Sequence, residues 1–148
     1  MEDIYKIAAN GGISDTELKG ALEKSPAGRT LQKVLILPPD FTRFHSQAGK
    51  ITSIYYQLLT DMGAQVDIMP ALGTHEPVSK AQWEAMFKGI PYESMIVHDW
   101  RHDVVKIGEV PASYLEEITD GLWHEAVSVE INRRVMDESY DLIISPGQ

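Results

Sequence analysis

At 148 residues, with 43% hydrophobic and 24% charged residues, the chain fits one soluble globular domain. Its formal net charge of −9 disfavours nucleic acid as a partner, because a phosphate backbone would be repelled, and the lack of cysteine excludes disulfides and thiolate metal sites. No apolar run approaches the ~20 residues needed to span a bilayer, and the acidic start at Met1 is unlike a signal peptide, so we expect a cytoplasmic protein without a membrane partner.

Helix and strand signals alternate in the first half of the chain. Ser14 and Glu17 have the form of a capping box, in which each side chain satisfies a free backbone N–H at the start of a helix. Consecutive apolar residues at 34–37 predict a strand buried on both faces, as in a parallel sheet covered by helices. Apolar residues across 48–62 recur at spacings of three and four, which predicts an amphipathic helix.

The alternation continues to the end of the sequence. A second strand is predicted at 66–69, and Ser79 with Gln82 forms another capping box after it. Further short strands are predicted at 95–97, 104–107, 126–131 and 142–144, with Asn132 capping a brief helix before the last of them. Alternating strands and helices with short loops indicate βαβ crossovers. We therefore predict an α/β fold with a Rossmann-like, mostly parallel sheet flanked by helices.

Two polar clusters follow neighbouring predicted strands, at the edge where open α/β sheets bind ligands. The first contains Asp40, Thr42 and Arg43; an arginine there can grip a carboxylate or phosphate, and an aspartate can orient it or accept a ligand hydroxyl. The second contains His75, whose titration range suits general acid/base catalysis. The structural alternatives are a helix N-cap for Asp40 and a solvent-facing turn for His75. Their shared sheet edge favours the functional interpretation.

Histidine and aspartate also alternate at short spacing at 98–103, a pattern that can bind metal. This segment lacks the helical regularity that would place both histidines on one face, so a turn with solvated charges is the preferred interpretation. The sequence has no glycine-rich dinucleotide fingerprint, P-loop, zincin motif or nucleophile elbow. The usual sequence support for dinucleotide binding, P-loop hydrolysis, zincin proteolysis and α/β-hydrolase chemistry is therefore lacking.

Three motifs carry a family resemblance: Asp40-Phe-Thr-Arg43, Gly73-Thr-His-Glu-Pro77 and Val97-His-Asp99. In this order and spacing they resemble the N-terminal domain of the nickel-pincer lactate racemase family, and the likeness spans nearly the whole chain. In that family a nickel ion, held in a pincer derived from a pyridinium mononucleotide, takes hydride from the α-carbon of a 2-hydroxy acid and returns it to either face. The resemblance implies an isomerase whose cofactor is this nickel-pincer mononucleotide.

The resemblance also implies an organisation and residue roles. Residues 1–148 would form a single N-terminal domain of a longer protein, completed by a C-terminal catalytic domain and acting on lactate or a related hydroxy acid. His75 would be one of two histidines that exchange the hydroxyl proton, while Asp40, Thr42 and Arg43 would bind substrate or cofactor. In the family, the second histidine, the lysine that anchors the pincer and the nickel-binding histidine lie beyond the segment that matches 145–148. We therefore expect no metal ligand in this chain and no activity from the chain alone.

A departure from the family pattern and two alternative functions remain to be considered. Phe44 and His45 stand where proline is common in the family, which leaves the identity of the hydroxy acid undecided. One alternative function is a stand-alone α/β module that binds carboxylates through Arg43 without catalysis. Another is a domain with a purely structural or interaction role.

Overall fold

Capping chemistry and apolar periodicity account for most helices and strands in the computed structural model, which describes residues 4, 6–8 and 11–147. The elements are α1 (Asp15–Leu22), β1 (Lys33–Ile36), α2 (Ala48–Asp61), β2 (Gln65–Ile68), α3 (Lys80–Met86), β3 (Val104–Val110), α4 (Ala112–Ile118), β4 (Val127–Asn132) and β5 (Leu142–Ile144). Both predicted capping boxes are present, at Ser14 for α1 and at Ser79 for α3. Asn132 caps a short 3-10 turn over Arg133–Met136, as predicted.

The central sheet is parallel, with strand order β2-β1-β5. On one face, side chains of β1 and β2 pack against α2 and α3, where Trp83 and Phe87 are fully buried. On the opposite face, Leu35 packs with Met69 and Tyr140. Burying β1 on both faces explains its unbroken apolar run. The fold is a Rossmann-like α/β arrangement, as predicted.

The second half of the chain departs from the predicted sheet. Residues 95–97 add only an isolated parallel bridge, between Met95 and Ile68, instead of a full strand. β3 and β4 pair with each other in a separate antiparallel ribbon, and α4, which the sequence did not predict, connects them. β3 contains the charged residues Lys106 and Glu109. Charged side chains are tolerated in a strand with one face in solvent, but not in a parallel sheet covered on both faces, which explains why β3 lies outside the central sheet.

Within the described ranges, no helix is both long and apolar enough to cross a bilayer.

Candidate functional site

The loops after β1 and β2 are held side by side because pairing continues beyond the strands. The N–H of Met69 donates to the carbonyl of Ile36 at 3.0 Å, and the N–H of Ala71 donates to the carbonyl of Pro38 at 2.8 Å. A further parallel bridge joins Pro39 to Ala71. This extension brings the two predicted polar clusters to one edge of the sheet, as expected for parallel strands.

Asp40 is the buried centre of this edge. It is only 6% exposed, and its two carboxylate oxygens have different partners. Oδ1 accepts the backbone N–H of Thr42 at 3.0 Å and the Thr42 hydroxyl at 2.5 Å, which caps the 3-10 turn over Phe41–Ser46. Oδ2 lies 2.5 Å from Nδ1 of His75. Asp40 therefore fills the structural role of a cap and also contacts the candidate catalytic histidine.

His75 is held at its backbone and at one ring nitrogen. The backbone N–H of His75 closes a turn by donating to the carbonyl of Leu72 at 3.0 Å, and Gly73 supplies the positive φ of 58° within that turn. Because an ionised carboxylate only accepts hydrogen bonds, Nδ1 must be the donor toward Asp40. In the neutral ring this leaves Nε2 with a free lone pair, and the side chain is 58% exposed.

The electrostatics keep Asp40 in its ionised form. Burial by itself would raise the pKa of the Asp40 carboxyl, but the hydrogen bonds from Thr42 and His75 outweigh burial and hold the pKa below its ordinary value of 3.8. The carboxylate is therefore available at neutral pH to orient the imidazole and to stabilise its protonated form.

Arg43 lies in the same turn but does not join the hydrogen-bonded cluster. Its backbone N–H donates to the Asp40 carbonyl at 3.0 Å, while its side chain is exposed. Phe44 beside it is 51% exposed, and its ring is tilted against that of Phe41, with the ring centroids 5.3 Å apart. The structure therefore brings together Asp40, Thr42 and His75, and it leaves the Arg43 guanidinium free to meet a ligand.

His98 is a further histidine that the structure fixes in place, through a contact that sequence reasoning missed. Asn132 is 4% exposed; its side-chain oxygen accepts the N–H of Arg134, so its amide group donates to Nδ1 of His98 at 3.0 Å. The two residues are 34 positions apart, and no local sequence signal links them.

The next segment forms a turn, as predicted. Asp99 accepts the backbone N–H groups of Arg101 and His102, at 3.0 and 3.1 Å. Across 4, 6–8 and 11–147, no group of three or more His, Cys, Asp or Glu side chains is arranged to hold a metal ion.

Comparison with known proteins identifies the fold through solved structures. No protein-family model matches the chain, and no curated protein matches its sequence significantly. A crystal structure of a Thermotoga maritima protein, determined by a structural genomics consortium, matches with a TM-score of 0.75 and 22% identity. The lactate racemase apoprotein from Thermoanaerobacterium thermosaccharolyticum matches with a TM-score of 0.59 and 21% identity. The fold is lactate racemase-like.

The matches cover most of this chain but only part of each solved structure. The matches cover 89% and 90% of this chain, but only 33% of the Thermotoga protein and 31% of the lactate racemase. The chain thus spans about one third of the length of the solved structures that it resembles, and at this level of identity the likeness concerns the fold alone.

Proposed function

We propose that residues 1–148 form the N-terminal, substrate-binding domain of a racemase or epimerase that interconverts stereoisomers of lactate or a related 2-hydroxy acid. The observation that carries this proposal is the contact between the buried Asp40 carboxylate and Nδ1 of His75 at an open sheet edge. The lactate racemase-like fold supports the same conclusion.

His75 is proposed to be the base for the substrate hydroxyl. When a 2-hydroxy acid is oxidised to a ketoacid, the O–H bond breaks as the C=O bond forms, so a group within hydrogen-bond reach must accept that proton. Nε2 of His75 has the free lone pair for this, and Asp40 stabilises the resulting imidazolium. When the ketoacid is reduced, the same imidazolium returns the proton to the oxygen.

Arg43 is proposed to bind the substrate carboxylate. Its exposed guanidinium lies three residues from Asp40, and an arginine can hold a carboxylate through two parallel hydrogen bonds. Such a clamp would orient the hydroxyl of a small hydroxy acid toward His75, which is the positioning that a proton transfer requires.

The nickel-pincer mononucleotide is proposed as the cofactor of the whole protein only. The described residues offer no set of three metal-binding side chains, and Nδ1 of His75 is occupied by Asp40. These donors do not fit a nickel site, so no step of the mechanism is assigned to the cofactor. The hydride acceptor would be held by a C-terminal domain outside this chain.

The proposal is tested by NMR titration of residues 1–148 with lactate and with propionate, which has the carboxylate but no hydroxyl. We expect lactate to bind about fivefold more tightly, because a net hydrogen bond of ~1 kcal/mol to His75 is added. His75→Ala should abolish this difference, whereas Arg43→Gln should weaken both acids equally. Resonances of the loops around Asp40 and His75 report the binding.

The exposed Arg43 side chain also suits the second candidate, a carboxylate-binding module without catalysis. Equal affinity for the two acids, unchanged by His75→Ala, would support this module and contradict the racemase proposal. Absence of binding by either acid would contradict both.

A further inference from the structure

β3, α4 and β4, termed the arm, extend from the sheet without a covering layer. In the part of the chain that the structure describes, the two strands pair only with each other. A two-stranded ribbon is marginally stable in water unless a third strand or another layer packs on it. We infer that the arm is a docking surface for a further domain of the same polypeptide.

The ribbon has one apolar and one polar face. Residues directly opposite each other share a face, and the bulge between Lys106 and Gly108 shifts the alternation of β3 by one residue. One face therefore presents Val105, Val110, Val127, Val129 and Ile131, whereas the other presents Lys106, Glu109, Ser128 and Glu130. Val127 and Val129 are 42% and 37% exposed, so the apolar face is uncovered.

The helix and the turn after it carry further exposed apolar side chains. No residue of α4 is buried, and large side chains are exposed along it and beyond it: Tyr114, Ile118, Leu122 and Trp123. The Trp123 indole N–H already donates to the carbonyl of Glu125 at 2.6 Å. The rest of the Trp123 side chain is apolar, and exposed apolar surface of this kind marks an interaction site.

The arm leaves the sheet at the edge that carries the candidate site. The segment 95–97 runs parallel to β2, with the N–H of Ile96 donating to the carbonyl of Ile68, so His98 lies at the carboxyl edge. β3 begins just after the turn that follows His98, and β4 ends at Asn132, which bonds to His98. A domain docked on the arm would therefore lie at the sheet edge where the His75 side chain is exposed.

Two observations identify the occupant. The solved structures that share this fold contain about two thirds of their length outside the matched region, so the fold occurs there with a large additional body in the same chain. In addition, residues 104–131 contain one lysine against six acidic side chains, so two arms would repel each other. The complementary surface is apolar at its centre and carries Lys or Arg at its rim.

The inference shares with the proposed function the expectation of a further domain, but it does not depend on the proposed chemistry. The experiment compares amide hydrogen exchange in residues 1–148 with that in the protein expressed from its complete gene. We expect β3 and β4 amides to exchange at least about tenfold more slowly in the complete protein, because docking suppresses local opening. β1 amides, which lie in the core, should exchange equally in both.

Matched substitutions on the two ribbon faces complete the test. In the complete protein, Val129→Lys should return arm exchange to the rate of the isolated chain, whereas Ser128→Lys on the polar face should leave it slow; unchanged β1 protection verifies folding. Equal arm exchange in the two proteins, or a complete gene that ends at Gln148, would overturn the inference. Arm protection in residues 1–148 that increases with protein concentration would also overturn it, since a second copy would then be the occupant. Lactate binding is not part of this readout, so the proposed function can fail independently.

Discussion

Asp40 and His75 are 35 positions apart in sequence, yet the carboxylate of one lies 2.5 Å from Nδ1 of the other. The pairing of β1 with β2, extended through Pro39 and Ala71, creates this contact. It fixes which ring nitrogen of His75 is engaged and which is available to a ligand.

Asp40→Asn should destabilise the protein in a pH-dependent manner. The folded-state pKa of Asp40 lies below 3.8, so its ionised form contributes stability that is fully present above about pH 4 and is lost as the pH falls through the folded-state value. At neutral pH we expect a loss of ~1–3 kcal/mol in the free energy of unfolding, since Thr42 and His75 lose a charged acceptor that is itself buried. Urea denaturation at a series of pH values measures it. A wild-type to variant difference that stays constant into strong acid would contradict a lowered pKa.

Thr42→Val should raise the pKa of Asp40 toward its ordinary value. The substitution keeps the shape of the side chain but removes the hydroxyl that donates to Oδ1. Thr42→Ser, which retains the hydroxyl, is the matched control and should behave like the wild type. The titration of the Asp40 carboxyl carbon, followed by ¹³C NMR, reports the shift. Identical titrations for the Val and Ser variants would show that the hydroxyl bond is unimportant.

Tyr140 should titrate at about pH 12 and not near 10. The pKa of this phenol is raised to about 12, mainly by burial and secondly by its 2.7 Å hydrogen bond to Asp67. Because the folded-state pKa is raised, the stability that it contributes is fully present below pH 10 and is lost as the pH rises through about 12. Ultraviolet titration measures the late ionisation, and Tyr140→Phe should remove it while costing about 1 kcal/mol of unfolding free energy.

Gly49→Ala should be destabilising although alanine is the better helix former. A Cβ at position 49 in α2 would collide with the backbone carbonyl of Met86 at the end of α3, where little can yield. We expect a loss of ~1–3 kcal/mol, typical of overpacking. Gly20→Ala in α1 is the control, since a Cβ there meets no atom within 4 Å, and it should gain ~0.5–1 kcal/mol. Thermal denaturation of both variants measures these changes in stability. A stabilised Gly49→Ala variant would refute the close approach of α2 to Met86.

Predictions from the sequence succeeded where the signal is short-range. Ser14 and Ser79 act on backbone groups three residues away, and the apolar run in β1 reports its own burial. The strands predicted at 104–107 and 126–131 are present, but their pairing with each other in a separate ribbon was not predicted, because short strands carry no local signal that specifies their partner. The charged side chains of Lys106 and Glu109 were the available signal for a half-exposed ribbon.

The structure confirms the structural alternative for Asp40, a helix cap, while the functional interpretation of its carboxylate stays a prediction. One carboxylate oxygen caps the 3-10 turn, as the structural alternative required, and the other contacts His75. Similarly, His75 closes a solvent-facing turn while its ring is held by Asp40. A pattern of residue types cannot distinguish one role from two, since a side chain with several acceptor sites can satisfy both.

The sequence by itself determined the α/β class, the starts of α1, α2 and α3, and the presence of Asp40, Thr42, Arg43 and His75 after strand ends, because these features depend on residues close by in sequence. Only the tertiary structure decided that Asp40 engages Nδ1 of His75, that Asn132 holds His98, and that β3 and β4 form an uncovered arm. Each of these depends on strand register and on contacts between residues far apart in sequence, and the chain acquires them only when the sheet and its loops are assembled.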